Sequence, residues 1–138
     1  MQISTKSRYG LRAMVELALN SGEDPLSLRE IAENQEISRK YLEQIVPHLK
    51  TAGLIRSVRG AGGGYRLTRD PEEITSLEIL RSLEGPLVPV DCVDSPNICD
   101  RSNTCATREL WAGVGDSIKE YLGSRTLDEL ARKQEKVS

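Results

Sequence analysis

Apolar residues recur at helical spacing through the first fifty or so positions and then give way to alternation. Leu11, Met14, Val15 and Ala18 mark one face of a helix predicted over Ser7 to Asn20, stopping near Gly22. In "SLREIAENQ", Ser27 stands three residues ahead of Glu30, the spacing of a capping box, and Leu28, Ile31 and Ala32 form the apolar side of a short second helix. The tight connection "ENQEIS" leads into "SRKYLEQIVPHLKTAGLI", a third helix capped by Ser38 and buried through Leu42, Ile45, Val46 and Leu49. Pro47 removes a helical hydrogen bond, so a kink is expected there, with Gly53 as the stop. "LIRSVRG" and "YRLTR" then favour β-structure on either side of the glycine-rich "GAGGG", which predicts a two-stranded wing.

The second half returns to helical spacing. Thr75 and Glu78 form another capping box in "ITSLEILRSLEG", with Ile74 and Ile79 as its hydrophobic staple, Leu77, Leu80 and Leu83 facing inward, and Gly85 and Pro86 as the stop. A polar loop from Pro89 to Thr104 precedes a long helix, "ATRELWAGVGDSIKEYLG", whose Leu110, Trp111, Val114, Ile118, Tyr121 and Leu122 fall on one side. That stripe reads as a two-fold interface between copies of the chain. "TLDELARK" predicts a last short helix before a charged, frayed tail. Helix, short helix, turn, basic helix and basic hairpin follow one another in the order of a winged helix-turn-helix, so the expected fold class is mainly α with a small β-wing.

Charge sharpens the picture. Residues 37–69 hold Arg39, Lys40, Lys50, Arg56, Arg59, Arg66 and Arg69 against the single acid Glu43, a local excess of six positive charges in a chain whose net charge is -2. This excess covers the two elements that should touch DNA, and it favours a polyanion partner over a merely solvated face. Arg39, Lys40, Glu43 and Gln44 project from the first two turns of the third helix, where a recognition helix presents side chains to base edges, and Arg59 flanks the wing tip. Arg and Gln read guanine and adenine edges, Lys more often grips phosphate, and Glu43 either accepts from cytosine or repels the duplex, which makes it a candidate discriminator. The glycines do not make a nucleotide loop: no Gly-Lys-Ser/Thr ending is present, and Tyr65 stands where the dinucleotide fingerprint needs its last glycine. No segment approaches the roughly 20 apolar residues of a membrane span, and the N-terminus lacks an apolar secretion core, so a cytoplasmic protein without membrane contact is expected.

All three cysteines, Cys92, Cys99 and Cys105, fall within "CVDSPNICDRSNTC". Cytoplasmic thiols are normally kept reduced, so metal binding, redox or catalytic chemistry is favoured over a disulfide. The spacings lack the tight pair that opens a structural zinc site, whereas soft thiolates at such spacings can wrap an iron-sulfur cluster; zinc and a simple thiol switch remain the alternatives. With one histidine and no clustered acid-base set, catalysis has little support, and no enzyme is expected.

"STKSRYGLRAMVELA", "YLEQIVPHLKTAGLIRSVRGAGGGYRL", "LEILRSLEGP", "ELW" and "TLDELA" resemble the winged-helix transcription regulators typified by IscR, NsrR and CymR, over nearly the whole chain. The resemblance implies a bacterial homodimer bound to double-stranded operator DNA, with long C-terminal helices crossing between subunits. It implies three divisions: residues 1–84 as the DNA-binding domain, 85–104 as the cluster-binding loop, and 105–138 as the dimerisation helix with its short C-terminal helix. IscR and NsrR carry three cysteines ahead of the dimerisation helix, whereas CymR lacks them, so the chain sorts toward the iron-sulfur branch, with a 2Fe-2S or 4Fe-4S cluster on Cys92, Cys99 and Cys105. A repressor of iron-sulfur biogenesis or a related stress response follows, with iron-sulfur assembly proteins as candidate partners; the alternative is a cluster-free regulator of cysteine metabolism under a protein partner. The fourth ligand does not transfer. The histidine position of IscR-like members is Arg108 here, and the N-terminal carboxylate of NsrR-like members corresponds to the region of Arg8. Arg108 suits hydrogen bonding to cluster sulfides better than ligation, His48 reads as an ordinary helix-surface residue, and Asp91, Asp94, Asp100, Glu109, a partner-subunit residue or a small exchangeable ligand stay open.

Overall fold

A computed structural model describes residues 2–137. Helix α1 (Thr5–Leu19) begins two residues earlier than its apolar spacing suggests, because the Ser4 hydroxyl accepts from the Ser7 amide at 3.1 Å and caps the turn. Helix α2 (Leu28–Gln35) carries the capping box in full: the Glu30 amide bonds the Ser27 hydroxyl and the Ser27 amide bonds Glu30 Oε2. Its end is Glu36 in the left-handed conformation, φ 54°, and this sharp reversal makes the turn of the helix-turn-helix. Helix α3 (Arg39–Thr51) runs through Pro47 and ends before Gly53, as the sequence predicts.

Strands β1 (Ile55–Val58) and β2 (Gly64–Leu67) pair antiparallel, with Ile55 opposite Leu67 and Val58 opposite Gly64. The hairpin is fastened along β2, one pair from its tip, where Leu26 and Tyr65 exchange both backbone hydrogen bonds, at 3.1 and 2.7 Å. Gly64 permits that approach, since a Cβ there would overlap the Leu26 carbonyl and lie 2.7 Å from the Ser27 nitrogen.

Helix α4 (Ser76–Glu84) has the predicted Thr75/Glu78 capping box, and both staple residues, Ile74 and Ile79, are fully buried. Leu80 and Leu83 are buried as expected, but Leu77 is only half-buried. Two short 3-10 turns, Asp91–Val93 and Pro96–Ile98, shape the cysteine loop before helix α5 (Ala106–Gly123). The last helix, α6 (Leu127–Val137), starts where expected, with Leu127 and Ala131 in the same core as Met14, Leu42, Ile45 and Ile74, but it continues through the exposed residues 134–137 that the sequence reads as a frayed tail. Met1 and Ser138, at the outer limits of the first and last expected divisions, lie outside the described residues.

α1 and α4 cross in close contact at Gly10, where any Cβ would strike the Leu83 side chain. One carboxylate oxygen, Glu84 Oε2, accepts from the Ser4 hydroxyl at 2.7 Å, the Ser4 amide at 3.2 Å and the Ser7 hydroxyl, pinning the end of α4 to the start of α1. The far end of α5 is tied down too: Thr75 bridges Thr126, Ser76 donates to the Arg125 carbonyl, and Leu127 donates to the Ile74 carbonyl, both at 2.8 Å. Gly115 packs α5 against the linker, with Pro89 and Val88 within van der Waals reach.

Candidate functional site

The α3 residues expected to read DNA lie on one exposed face. Leu42, Ile45, Val46 and Leu49 turn into the core, so Arg39, Lys40, Glu43 and Gln44 are left facing solvent from the first two turns of α3. Arg39 Nε and Glu43 Oε1 lie 3.9 Å apart across one helical turn, with both side chains more than half exposed. Such a pair is worth a few tenths of a kcal/mol and yields readily to a new partner. Arg59 directly follows β1 and is exposed at the start of the glycine-rich tip. His48 is exposed on the outside of α3, far along the chain from the cysteine loop, in keeping with its expected surface role.

Beneath α3 a polar network braces the helix-turn-helix. Arg12 bonds both the side-chain and backbone oxygens of Gln35, while Gln35 and Asn34 each donate to the Glu16 carboxylate. Tyr9 and Tyr41 meet edge to face at 5.5 Å between centroids, which fixes α1 against the first turns of α3.

The three cysteines converge. Cys92, Cys99 and Cys105 line one cavity of about 140 Å³ at the start of α5, together with Ser102, Thr107, Arg108 and Trp111. The loop is held in shape by its own groups: the buried Ser102 hydroxyl donates to the carbonyls of Pro96 and Cys99, at 2.6 and 2.9 Å. Arg108 Nε donates to the Cys92 carbonyl at 2.9 Å, with a second contact to the Val93 carbonyl. The guanidinium therefore ties the first cysteine to the first turn of α5 and lines the cysteine cavity. Cys105 is the N-cap residue of α5, and its sulfur lies 3.0 Å from the Thr107 hydroxyl. That hydroxyl, then the amides of Arg108 and Thr107, hold the Cys105 thiol below its ordinary pKa and favour the thiolate.

Among the described residues no three His, Cys, Asp or Glu side chains are arranged to hold a single metal ion. The donor set nonetheless fits a cluster, in which different irons take different thiolates: three sulfurs share one cavity, one of them favoured as thiolate, beside the positive end of an 18-residue helix. Asp91, Asp94, Asp100 and Glu109 are exposed and do not line the cavity, and Arg8 is occupied with the Thr5 hydroxyl and the Tyr9 ring. Sequence reasoning missed Ser102 and Thr107. Thr107 stands two residues after the last cysteine, near enough in sequence for its contact with that sulfur to be sought, whereas Ser102 acts through a loop shape that nothing local announces.

α5 also leaves most of its stripe uncovered, with Ile118 and Leu122 half-buried. Leu110 and Tyr121 are about 60 % exposed, at 61 % and 60 %, and Trp111 and Val114 follow at 39 % and 37 %, large values for apolar side chains in a row along one helix.

Comparison with known proteins agrees with this geometry. The Rrf2 family, described as "Iron-dependent Transcriptional regulator", matches residues 3–133. The HTH-type transcriptional regulator CymR of Bacillus subtilis is 48% identical over 131 residues, covering 95% of this chain and 90% of its own length. The HTH-type transcriptional regulator IscR of Xenorhabdus nematophila is 38% identical, over 98% of this chain and 82% of its own. Among solved structures, CymR, the global cysteine regulator of B. subtilis, superposes with a TM-score of 0.82 at 47% identity, over 96% of this chain and 98% of that one. T. potens IscR superposes with a TM-score of 0.81 at 41% identity, over 100% of this chain and 91% of that one. These relatives are named as transcriptional regulators, not as enzymes, and the winged helix, the basic α3 face and the matched length all point the same way: the chain belongs to the Rrf2 family of transcriptional regulators.

Proposed function

We propose that the protein is a cytoplasmic, homodimeric, operator-binding repressor that senses an iron-sulfur cluster held by Cys92, Cys99 and Cys105, and that it governs iron-sulfur biogenesis or a related stress response. The observation that carries this reading is the convergence of all three cysteines on one cavity at the start of α5. Residues 1–84 act as the DNA-binding domain, 85–104 as the cluster loop and 105–138 as the dimerisation segment. Arg39 and Gln44 read base edges, Lys40 and Arg59 hold phosphate or minor groove, and Glu43 rejects unsuitable sites. When bound, the cluster supplies an iron without a fourth thiolate, open to oxygen, nitric oxide or loss. The chain's own groups pass that state on: Arg108 joins the Cys92 carbonyl to α5, so an ordered loop fixes the direction of α5. The direction of α5 in turn sets the separation of two recognition helices that must reach half-sites about 34–36 Å apart. Iron-sulfur assembly proteins are the proposed source of the cluster.

Anaerobic purification with iron, sulfide and absorption measurements tests the site, and operator binding with and without reconstitution tests the sensing. Identical binding in the two states would refute sensing. A second reading, a cluster-free regulator of cysteine metabolism controlled by a protein partner, is favoured by the 48% identity to B. subtilis CymR. Colourless, iron-free protein after anaerobic reconstitution selects that reading.

A further inference from the structure

Between α3 and the wing lies a groove of about 360 Å³ that the base-reading residues do not account for. Leu28, Val46, Pro47 and Tyr65 line it with apolar surface, and Glu43 and Lys50 bring the only charges. Seven residues separate Glu43 from Lys50, two turns of helix, so both lie on the wing-facing side of α3, about 10 Å apart along its axis. Glu43 belongs to the base-reading turns; Lys50 belongs to the far end.

If α3 enters the major groove by its first turns and Arg59 reaches the next minor groove, one sugar-phosphate strand must cross the space between them. From this placement we infer that the α3–wing groove seats that strand, with Lys50 and the Tyr65 hydroxyl holding its phosphate and the apolar walls covering its deoxyribose. This rests on the DNA-binding reading above and extends it to a phosphate-positioning pair. Three features support it. Lys50 and the Tyr65 hydroxyl bond no other group among the described residues, so both are available to a ligand. Tyr65 is locked to Leu26 through both backbone hydrogen bonds, so this wall stands ready before DNA arrives and little ordering is needed on binding. The carboxylate of Glu43 repels phosphate while Lys50 attracts it, so the groove has a polarity that sets which end of it the phosphate occupies.

The test uses the full-length chain, a duplex selected by the protein from a random-sequence library, and a scrambled duplex of the same composition. Fluorescence anisotropy across a potassium chloride series gives affinity and salt slope for wild type, Lys50→Gln, Lys50→Arg, Tyr65→Phe and Arg39→Ala, each checked for folding by circular dichroism melting. Lys50→Gln should weaken both duplexes by the same factor and reduce the slope of log K against log salt by about 0.9, the value of one phosphate contact. Lys50→Arg should retain the wild-type slope. Tyr65→Phe should weaken both duplexes severalfold with the slope unchanged, because a neutral hydroxyl releases no counterion. A folded Lys50→Gln protein with the wild-type slope, or one that loses only the selected duplex, overturns the assignment of the groove. If wild type binds neither duplex, the DNA-binding reading itself falls; if wild type binds and only Arg39→Ala is impaired, the groove assignment alone falls.

Discussion

Glu43 shows how little a single charged side chain on α3 contributes to stability and how much it can contribute to choice. Its 3.9 Å contact with Arg39 is exposed on both sides, so Glu43→Ala should move stability by no more than about 0.5 kcal/mol. Its effect on recognition should be larger, because losing the carboxylate removes repulsion from every site that lacks a cytosine amino group in reach and frees the Arg39 guanidinium. Selection from a random-sequence library should return a broader set of sites for Glu43→Ala than for wild type; an unchanged preference would count against the discriminating role. The residues in this argument were legible in the sequence because they follow from helical spacing on a capped helix. Ser27 with Glu30 and Thr75 with Glu78 were legible for the same reason, since a capping box is a contract between neighbours three apart. The surroundings of Ser102, Lys50 and Tyr65 were not, because they are made by segments distant in the chain: a loop that folds on itself and a hairpin that closes over α2 and α3. Arg108 shows a third case, its place beside the cysteines foreseen but its bond to the Cys92 carbonyl not, since that carbonyl is placed by how the loop folds back.

Elements depend on a few close fits that their own residues cannot announce. The wing is held near its tip by the Leu26–Tyr65 exchange, and Gly64 makes room for it. Gly64→Ala should therefore destabilise the chain by about 1–3 kcal/mol, since the obstruction is backbone and cannot swing aside. Urea unfolding should show this, and DNA affinity should fall further than global stability requires because the hairpin is displaced from α3. A second element-level contact joins α1 to α4. The Ser7 hydroxyl first, and then the Ser4 hydroxyl, hold the Glu84 carboxyl below the usual carboxylate range. A carboxyl with a lowered folded pKa stabilises above its unfolded value, and that contribution is lost as pH falls through the folded value. Wild type should lose stability on acidification below the ordinary glutamate range. Glu84→Gln should be less stable at neutral pH by about 1 kcal/mol, a figure that allows for partial solvent exposure, and should show a flatter acid limb in melting experiments. The helices themselves were read within a residue or two at most ends. α6 outran its expected length at its exposed end, where polar residues after the last buried position, Ala131, carry no apolar spacing from which to read a helix.

At the scale of the whole molecule the exposed side of α5 decides between a monomer that grips one half-site and a dimer that grips two. Trp111, Val114, Ile118 and Tyr121 are spaced by three, four and three residues, the repeat of a helix seam, and Val114 and Tyr121 remain exposed in the single chain. Both ends of this helix are committed: Cys105 begins it and Arg108 ties its first turn to the loop, while the Thr75–Thr126 bridge fastens its exit to the winged domain. A second α5 packed on the stripe would therefore fix two winged domains relative to each other through short, stiff connections. Val114→Glu tests this without touching the cysteine cavity, because Val114 does not line it. Sedimentation should show wild type as a dimer and Val114→Glu as a monomer with unchanged helical content. Operator affinity should then fall on the order of 10²-fold or more, since the second half-site no longer adds its effective concentration, while affinity for an isolated half-site should stay as it was. If Val114→Glu stays dimeric and keeps full operator affinity, the seam lies elsewhere; and if, as proposed, the loop state reaches DNA through the pairing of α5 helices, the monomeric variant should also bind its half-site equally with and without reconstitution.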